Sequence, residues 1–491
     1  MTAAESSAAL SESSITSSLR VAYGLGQVAE SVKTYSFSLF VLFYYNSVLG
    51  LSGSATGFAI GVALLFDAVS DPLAGSISDN WESRWGRRHP FMLVSAVPLG
   101  LCFAALFAPP ANLGSTGQLF WLTGFAIATR TAMTFFHVPH QALGAELSTD
   151  YDERTRLVAI RLAFGYAGVV VMAGLGFGVF FADARGGQAN AEAYAPFGAT
   201  MAVIMIVSAL SSVWGTRRAI STLPRPDTRS AESVYAVFGR MVREARSALS
   251  NRSFRGLAGG TLLMFLMVGT ESALSLYMYD FFWGLDSLEK LFLMLLYPVG
   301  LIVGAMLTQR FHARWDKAPT LLLGIAGYSI CQLTPVFLRL FDALPQNGTR
   351  ELILVLMAFR FVQGALVQQA LVSFGSMLAD IADQHELESG RRQEGIFFAL
   401  TSFAGKASSG AGSFVAGVTL DLIQWPAGAS LAGAAAVPAE TIRSLGIIYG
   451  PVVAAFAVAA MFSYRLYDLN RARHREILDA LDVRRANDGG A

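Results

Sequence analysis

The stretch LLFDAVSDP, at residues 64–72, places two aspartates four positions apart inside an apolar segment. Side chains at positions i and i+4 lie on the same face of a helix, with Cβ atoms about 5–6 Å apart. A carboxylate near the centre of a bilayer costs roughly 2.5–3.5 kcal/mol on insertion scales. Because two close carboxylates either bind a cation between them or share a proton, Asp67 and Asp71 indicate the chemistry that an ion-coupled membrane transporter needs.

The composition also indicates a membrane protein. Of the 491 residues, 54% are hydrophobic and 14% are charged, whereas globular chains carry about 25% charged residues. The net charge of +1 gives no reason to expect a nucleic-acid partner. Cys102 and Cys331 lie in apolar runs, so we predict neither a disulfide nor a metal site there. The sequence contains no G-x-x-x-x-G-K-[ST] loop, which argues against ATP-driven transport, and we predict no cofactor.

Apolar stretches of about 20 residues, the length that spans a bilayer, recur along the chain. We predict an all-α membrane protein with twelve spans. They lie near residues 21–49, 54–79, 91–109, 118–146, 157–183, 194–214, 257–283, 288–309, 319–341, 351–380, 393–423 and 443–466. Arginine and lysine are concentrated in alternate connections, and the positive-inside rule therefore predicts that both termini are cytoplasmic.

The spans fall into two groups of six. We predict one six-helix bundle at residues 21–215 and a second at 257–467, joined by a cytoplasmic linker at 216–256. Residues 1–20 are predicted to be a disordered tail, and 468–491 a cytoplasmic tail.

The linker contains a predicted amphipathic helix. Val234, Phe238, Met241, Ala245 and Leu249 form one apolar stripe at helical spacing, which is typical of a helix lying on the cytoplasmic leaflet. A plain linker helix and a regulatory, lipid-sensing helix both fit this pattern.

The two halves share a weak internal repeat. SRWGRRHP at residues 83–90 is echoed by ARWDKAP at 313–319, and each segment follows the second span of its half. Two parallel halves with a binding site near the midplane are a plan of secondary transporters. A channel has less need of such a repeat or of so many ionisable groups within the spans.

The motifs around the two aspartates resemble a known family. DAVSDPLAG at residues 67–75, followed by RWGRRHP at 84–90, is similar to the signature of the glycoside–pentoside–hexuronide:cation symporters of the major facilitator superfamily. The likeness continues through HVP at 137–139, DERTR at 152–156 and MLADIAD at 377–383. The HVP segment also resembles the animal sodium-dependent lysophospholipid symporters.

The resemblance implies a cation site like that of the family and a solute site in which several of the family's residues are replaced. Asp67 and Asp71 match the cation ligands of the family, with Ser70 and Thr134 as co-ligands, and the choice between Na⁺ and H⁺ stays open. The family also places a lysine, here Lys406, near the cation and the solute. The solute-binding set that we predict is Glu30, Ser31, Arg130, His137, Gln141, Arg161, Glu271 and Lys406. At Ser31, His137 and Gln141 the family's sugar-binding residues are replaced, while Arg161 is retained, so the solute class stays open.

The residues of the fourth span also predict a cavity. Arg130, Thr134, His137 and Gln141 fall at i, i+4, i+7 and i+11 and form one polar stripe. In a bilayer such a stripe faces a bundle interior or a water-filled pathway. Two interpretations of Arg130 remain open: it binds an anionic group of the solute, or it neutralises an acid such as Asp67 or Glu30.

Other charges within the spans allow similar alternatives. Glu30 and Lys33 lie at i and i+3, so they pair with each other or face the cavity. We expect Glu271 to face the cavity, because an unpaired carboxylate facing lipid would be costly. Arg360 either snorkels towards the membrane surface, binds solute or pairs with an acid.

Charged residues at the ends of the spans predict two cytoplasmic networks. Positive charge alone orients the chain and explains the arginines, but it does not explain the interleaved acids. In the superfamily such networks hold the outward-open state, so their disruption should slow transport and leave solute affinity in place. The predicted members are Arg84, Arg87, Arg88, Asp150, Asp152, Glu153 and Arg154 in the first half, and Asp380, Asp383, Glu386, Arg391 and Arg392 in the second.

Together these features predict a monomeric, multi-pass protein of the cell membrane that is not an enzyme. We expect it to carry a small solute inward with Na⁺ or H⁺, the cation binding first and raising solute affinity by reciprocal coupling. A glycoside or related sugar is the leading solute. A lysolipid or other amphiphile is the alternative, and a non-transporting sensor or a lipid scramblase is the alternative from another class.

Overall fold

The computed structural model describes residues 15–81, 83–148, 150–222, 239, 243, 246–390, 394–429 and 437–488. In these ranges the long helices follow one another as α1 to α13. Their bounds are α1 Ser17–Phe43, α2 Gly53–Asp79, α3 His89–Leu106, α4 Ser115–Glu146, α5 Tyr151–Leu175, α6 Tyr194–Thr216, α7 Arg252–Tyr277, α8 Ser287–Arg314, α9 Lys317–Leu340, α10 Arg350–Ser389, α11 Glu394–Leu422, α12 Ala439–Tyr464 and α13 Arg471–Asp488. Each of the twelve predicted apolar stretches corresponds to one of the helices α1 to α12.

Ten of the described helices are long and apolar enough to cross a membrane. The two others among α1 to α12 are α1 and α11, and both carry polar residues on the wall of a central cavity. These include Glu30 and Lys33 on α1, and Ser402, Lys406 and Ser409 on α11. Their lower apolarity therefore follows from the surface that they line.

The first and second sets of six helices pack in the same order. Helix α1 packs on α5 and α6 as α7 packs on α11 and α12, and α4 packs on α2 and α3 as α10 packs on α8 and α9. Helices α1 and α7 also both continue into one π-helical turn, at Tyr44–Val48 and Met278–Phe282. The repeat in the sequence thus has a counterpart in the packing.

The halves meet most closely along α2 and α11. Glycines allow the two backbones to touch: a Cβ atom added at Gly57 would lie 2.7 Å from the carbonyl oxygen of Ser413. A Cβ atom added at Gly417 would overlap the carbonyl oxygen of Gly53. Helix α1 contacts α7, and α5 contacts α8, so the interface continues on both sides.

Hydrogen bonds join the halves at one end, which we call the closed end; it contains the α1–α2, α5–α6 and α7–α8 connections and the C-terminal end of α11. Asp421 on α11 accepts hydrogen bonds from the backbone N–H groups of Gly53 (2.9 Å) and Ser54 (2.8 Å) at the start of α2. Ser287 donates to Asp183 Oδ1 at 2.9 Å. At the opposite end the ion pairs between described residues stay within one half.

The two ends of the chain and the linker complete the description. Helix α13 docks on α10, where Arg485 lies 2.9 Å from Glu386 Oε1. Residues 1–14 lie outside the described residues, as do Val234, Phe238, Met241 and Ala245 of the predicted linker stripe.

Candidate cation and solute site

A cavity of about 600 Å³ lies between the halves. Helices α1, α2 and α4 supply most of its charged residues, while α7, α10 and α11 supply small hydroxyl residues, phenylalanines and Lys406. Its ionisable lining residues are Glu30, Lys33, Asp67, Asp71, Arg130, His137 and Lys406.

The two aspartates are bridged twice at this wall. Thr134 Oγ1 lies 2.8 Å from Asp67 Oδ1 and 3.0 Å from Asp71 Oδ1. On the other side, Lys406 Nζ contacts Asp71 Oδ2 and lies 3.3 Å from Asp67 Oδ2. The aspartates belong to the first half and Lys406 to the second, so this ion pair crosses the interface between the halves.

Arg130 pairs with an acid and also lines the cavity. Its Nη1 donates to Asp67 Oδ2 at 3.1 Å, and its guanidinium lies 4.4 Å from the centre of the Phe37 ring. Of the two interpretations left open by the sequence, the neutralisation of Asp67 is the one that this geometry shows.

Ser70 is not among the residues that line the cavity. Its hydroxyl donates to the carbonyl oxygen of Asp67 at 3.2 Å on its own helix. The hydroxyl hydrogen is used in this intrahelical bond, and the structure gives the predicted co-ligand no contact with either carboxylate.

Glu30 lines the cavity, and both of its carboxylate oxygens accept hydrogen bonds from neighbours on α1. Thr34 Oγ1 donates to Glu30 Oε1 at 2.6 Å, and Gln27 Nε2 donates to Glu30 Oε2 at 3.1 Å. Lys33 Nζ lies 3.7 Å from Glu30 Oε1, so the predicted pair is an ion pair without a hydrogen bond.

Two of the four remaining candidates on the first half line the cavity. His137 and Gln141 do so, with their Nε2 atoms 3.3 Å apart. Ser31 instead packs against α5, where a Cβ atom added at Gly168 would lie 3.1 Å from Ser31 Cβ. Arg161 is half-buried on α5 and interacts with the hydroxyl of Tyr23, outside the cavity lining.

Glu271 lies behind the cavity wall, which differs from the sequence prediction. Its carboxylate is buried and turns into the second bundle, where Tyr328 Oη contacts Oε2 and Arg360 Nη1 lies 3.1 Å from Oε1. Arg360 also donates to Gln363 Oε1 at 2.7 Å. Both charges are therefore compensated inside the second half.

The network at the opposite end of the first half centres on an acid that the sequence analysis did not identify. Glu146 Oε1 accepts from Arg87 Nη2 at 2.7 Å and from Arg88 Nη2 at 2.8 Å, and Arg88 also contacts Asp79. In the sequence, Glu146 is the last residue of the fourth predicted apolar stretch, 118–146. Its position as the last residue of α4, facing an arginine-rich connection, is the signal that could have identified it.

Of the other residues predicted for that network, Glu153 pairs with Arg20, whose Nη2 donates to Glu153 Oε1 at 2.8 Å. Arg20 lies on α1, so the end of the segment predicted as a disordered tail is helical. The rest have local roles or lie at the surface. Asp150 caps α5 by accepting from Glu153 N at 2.8 Å, and Arg154 donates to the carbonyl oxygen of Ser148 at 2.7 Å. Arg84 and Asp152 are exposed.

In the second half the acids pair with α9 and α13. Lys317 Nζ lies 2.7 Å from Asp380 Oδ1, and His474 Nε2 lies 3.0 Å from Asp383 Oδ2. Arg391 and Arg392 lie outside the described residues. Lys317 belongs to the echoed loop, so its pair with Asp380 occupies the position that the Arg88–Glu146 pair occupies in the first half.

This duplicated bundle of long apolar helices, with paired carboxylates on a cavity between its halves, defines a membrane transporter of the major facilitator class. The chain belongs to the MFS/sugar transport protein family, whose model matches residues 22–471. The members of that class are secondary transporters, not enzymes, and are integral to the membrane.

Two relatives and one solved structure show the range of similarity. The chain is 24% identical to the putative glycoside/cation symporter YagG of Escherichia coli, over 96% of each chain. It is 29% identical to the sodium-dependent lysophosphatidylcholine symporter 1-A of Danio rerio, over 31% of this chain and 28% of that one. A bacterial homologue of the human lysosomal transporter Spinster shares the fold, with a TM-score of 0.61, 14% identity and coverage of 92% of this chain and 98% of that one.

Proposed function

We propose that this chain is a twelve-span symporter with cytoplasmic termini, which carries a sugar-like solute together with Na⁺ or H⁺ by alternating access. The observation that carries the proposal is the double bridge between Asp67 and Asp71 at the wall of the central cavity. The name of the relative YagG and the family description support a sugar-like solute.

The Thr134 bridge supports a cation or a proton at the aspartates. A hydroxyl group has one hydrogen and can donate to only one carboxylate at a time. The second close oxygen–oxygen contact therefore marks a position where a proton on an aspartate, or a cation between the groups, would be stabilised. The two carboxylates and the Thr134 hydroxyl offer the oxygen ligands that hard cations prefer.

The Lys406 bridge supports coupling between the cation and the two halves. Its ammonium contacts the carboxylate oxygens where a coupling cation would bind. Binding of that cation must displace Lys406, and this changes an ion pair that crosses from α11 to α2. A ligand shifts a conformational equilibrium only through such differential contacts.

The side of the membrane on which the closed end lies decides whether the cavity is closed to the exterior or to the cytoplasm. The positive-inside rule places the α1–α2 and α7–α8 connections outside the cell, so the closed end faces outward and this state is closed to the exterior. Rocking of one half against the other would break the Asp421 and Asp183 bonds and expose the cavity to the exterior.

A lysolipid solute is the second candidate. The local similarity to the lysophosphatidylcholine symporter favours it, while the serine and threonine residues of α11 on the cavity wall favour a hydroxyl-rich sugar. The lining hydroxyl residues of the second half are Ser272, Thr401, Ser402, Ser409 and Ser413.

Uptake into proteoliposomes separates the candidates. With an inward Na⁺ or H⁺ gradient, we expect accumulation of at least one sugar from a panel of D-xylose, D-glucose and D-glucuronate, and no accumulation without the gradient. Accumulation of lysophosphatidylcholine alone would favour the second candidate. Uptake that is equal with and without the Na⁺ and H⁺ gradients would refute cation coupling.

A further inference from the structure

The formal charges of the cavity cancel in the observed state. Its lining carries three acids, Glu30, Asp67 and Asp71, and three bases, Lys33, Arg130 and Lys406. A neutral imidazole at His137, the remaining ionisable lining residue, leaves this balance unchanged. A neutral cavity suits an empty carrier that must close around it, because an uncompensated charge in a low-dielectric interior is unfavourable.

Lys33 is the base in this set that is least well paired. Its side chain is 6% exposed, yet it donates no hydrogen bond to any described residue, and the one acidic oxygen within 4.0 Å is Glu30 Oε1 at 3.7 Å. That carboxylate already accepts from Thr34 and Gln27. By contrast, Arg130 is hydrogen-bonded to Asp67, and Lys406 contacts Asp71.

Loading the coupling cation unbalances these charges. One Na⁺ or H⁺ at Asp67 and Asp71 raises the formal charge of the cavity to one positive unit and releases Lys406 from the aspartates. Two ammonium groups then face the cavity without a hydrogen-bonded acid: Lys406 has left the aspartates, and Lys33 stays 3.7 Å from Glu30 Oε1. Closure of the cation-loaded carrier is therefore unfavourable until another group supplies a negative charge.

We propose that the solute carries one net negative charge and that Lys33 binds its anionic group, which makes the fully loaded carrier electroneutral. The inference rests on the proposed cation coupling at Asp67 and Asp71 and adds the charge of the solute to it. A sugar carboxylate and the phosphate of a lysolipid share this chemistry. Without the anion the cation-loaded carrier does not close, and this prevents a leak of the cation alone.

The test uses the full chain in proteoliposomes with an imposed Na⁺ or H⁺ gradient. D-Glucuronate and D-glucose differ at C6, where one has a carboxylate and the other a hydroxymethyl group. Lysophosphatidylglycerol tests the lipid source of an anionic group. A potassium gradient with valinomycin sets the membrane potential to zero or to about −100 mV.

We expect uptake of the anionic probe, D-glucuronate or lysophosphatidylglycerol, at least tenfold faster than uptake of D-glucose. We also expect its rate to change less than twofold between the two potentials. A neutral solute carried with one cation would instead accumulate up to about 50-fold more at −100 mV. Preference for D-glucose, or strong stimulation by the potential, would overturn the proposal while leaving cation coupling intact. Absence of gradient-dependent uptake for all three probes would refute both.

Substitutions test whether Lys33 is the residue that causes the preference for an anionic solute. Lys33→Gln should lower the affinity for the anionic probe at least tenfold, and Lys33→Arg should keep the preference for anions. Lys290→Gln is the matched control, because Lys290 is equally buried but contacts Asp280 and Gln188 outside the cavity. An unchanged preference in Lys33→Gln would contradict the role of Lys33. If that variant does not fold, the potential dependence of the wild-type chain still decides the charge of the solute.

Discussion

Asp67 and Asp71 show how a few side chains make a charged site tolerable inside a membrane helix. Each carboxylate contacts the Thr134 hydroxyl on one side and the Lys406 ammonium on the other, and Arg130 adds a second positive charge to Asp67. These contacts compensate the negative charges of both acids. The same contacts must be exchanged when a coupling cation binds.

Removal of Lys406 should therefore strengthen cation binding. Lys406→Met removes a positive charge next to both carboxylates, and two unit charges about 4 Å apart interact by about 1–4 kcal/mol between bulk water and a protein surface. We expect the apparent cation dissociation constant to fall at least about tenfold. The measurement is the shift of the Tm with Na⁺ concentration or pH. An unchanged or weaker cation response would contradict the exchange of Lys406 for the cation.

The Thr134 hydroxyl should contribute less than Lys406 and in the opposite direction. Thr134→Ala removes one hydrogen-bonding group worth about 1 kcal/mol, so cation affinity should fall about fivefold. Thr134→Ser keeps the hydroxyl and is the matched control, with affinity close to that of the wild type. Equal losses in both variants, read from the same titration, would show that the methyl group matters and the oxygen does not.

At the scale of elements, the contact of α2 with α11 sets whether the closed end can form. Gly417→Ala adds a Cβ atom that overlaps the backbone of Gly53, so the two helices must separate. The α3–α4 and α9–α10 connections lie at the same end as the α1–α2 and α7–α8 connections, and they carry the exposed residues Asn112 and Gln346. We expect the distance between spin labels at these two positions, in a Cys102→Ser/Cys331→Ser background, to shift towards longer values. The measurement is a double electron–electron resonance distance distribution.

Gly124→Ala provides the control for this experiment. Gly124 lies on α4, and a Cβ atom added there meets no other atom within 4 Å. Its distance distribution should match that of the unsubstituted background. A Gly417→Ala distribution identical to that of the control would contradict the account of the closed end.

The Asp421 carboxylate should add a smaller stabilisation of the same end. It accepts two backbone hydrogen bonds at the start of α2, and an anion at a helix N-terminus contributes about 0.3–1 kcal/mol. Asp421→Asn should therefore raise the population of the long-distance state about two- to fivefold in the same resonance measurement. A shift towards shorter distances would contradict the assignment of Asp421 to the closed end.

At the scale of the whole molecule, the positions of the apolar stretches in the sequence predicted where the helices α1 to α12 lie. A bilayer requires about 20 apolar residues for each span, and this requirement is visible without knowledge of tertiary contacts. The spacing of Asp67 and Asp71 and the polar stripe through Thr134 and His137 also predicted a shared wall, which the cavity lining matches.

The rotation of individual helices could not be predicted in the same way. Glu271 lies on a helix that is apolar on most faces, so the sequence pattern does not indicate which direction its carboxylate takes. Its partners Tyr328 and Arg360 come from α9 and α10, distant in sequence. Glu146 was missed for a related reason, because the partner of an arginine at a helix end depends on which helix ends lie side by side.

The most direct test of the central claim is sugar accumulation driven by a cation gradient in proteoliposomes of the wild type and of Asp67→Asn. Asp342→Asn is the matched control: Asp342 is exposed, and its φ of 56° is a conformation that asparagine accepts. We predict that the wild type and Asp342→Asn accumulate sugar only with the gradient, and that Asp67→Asn does not accumulate it. Accumulation by Asp67→Asn at the wild-type level would contradict the claim that the cation acts at the paired aspartates.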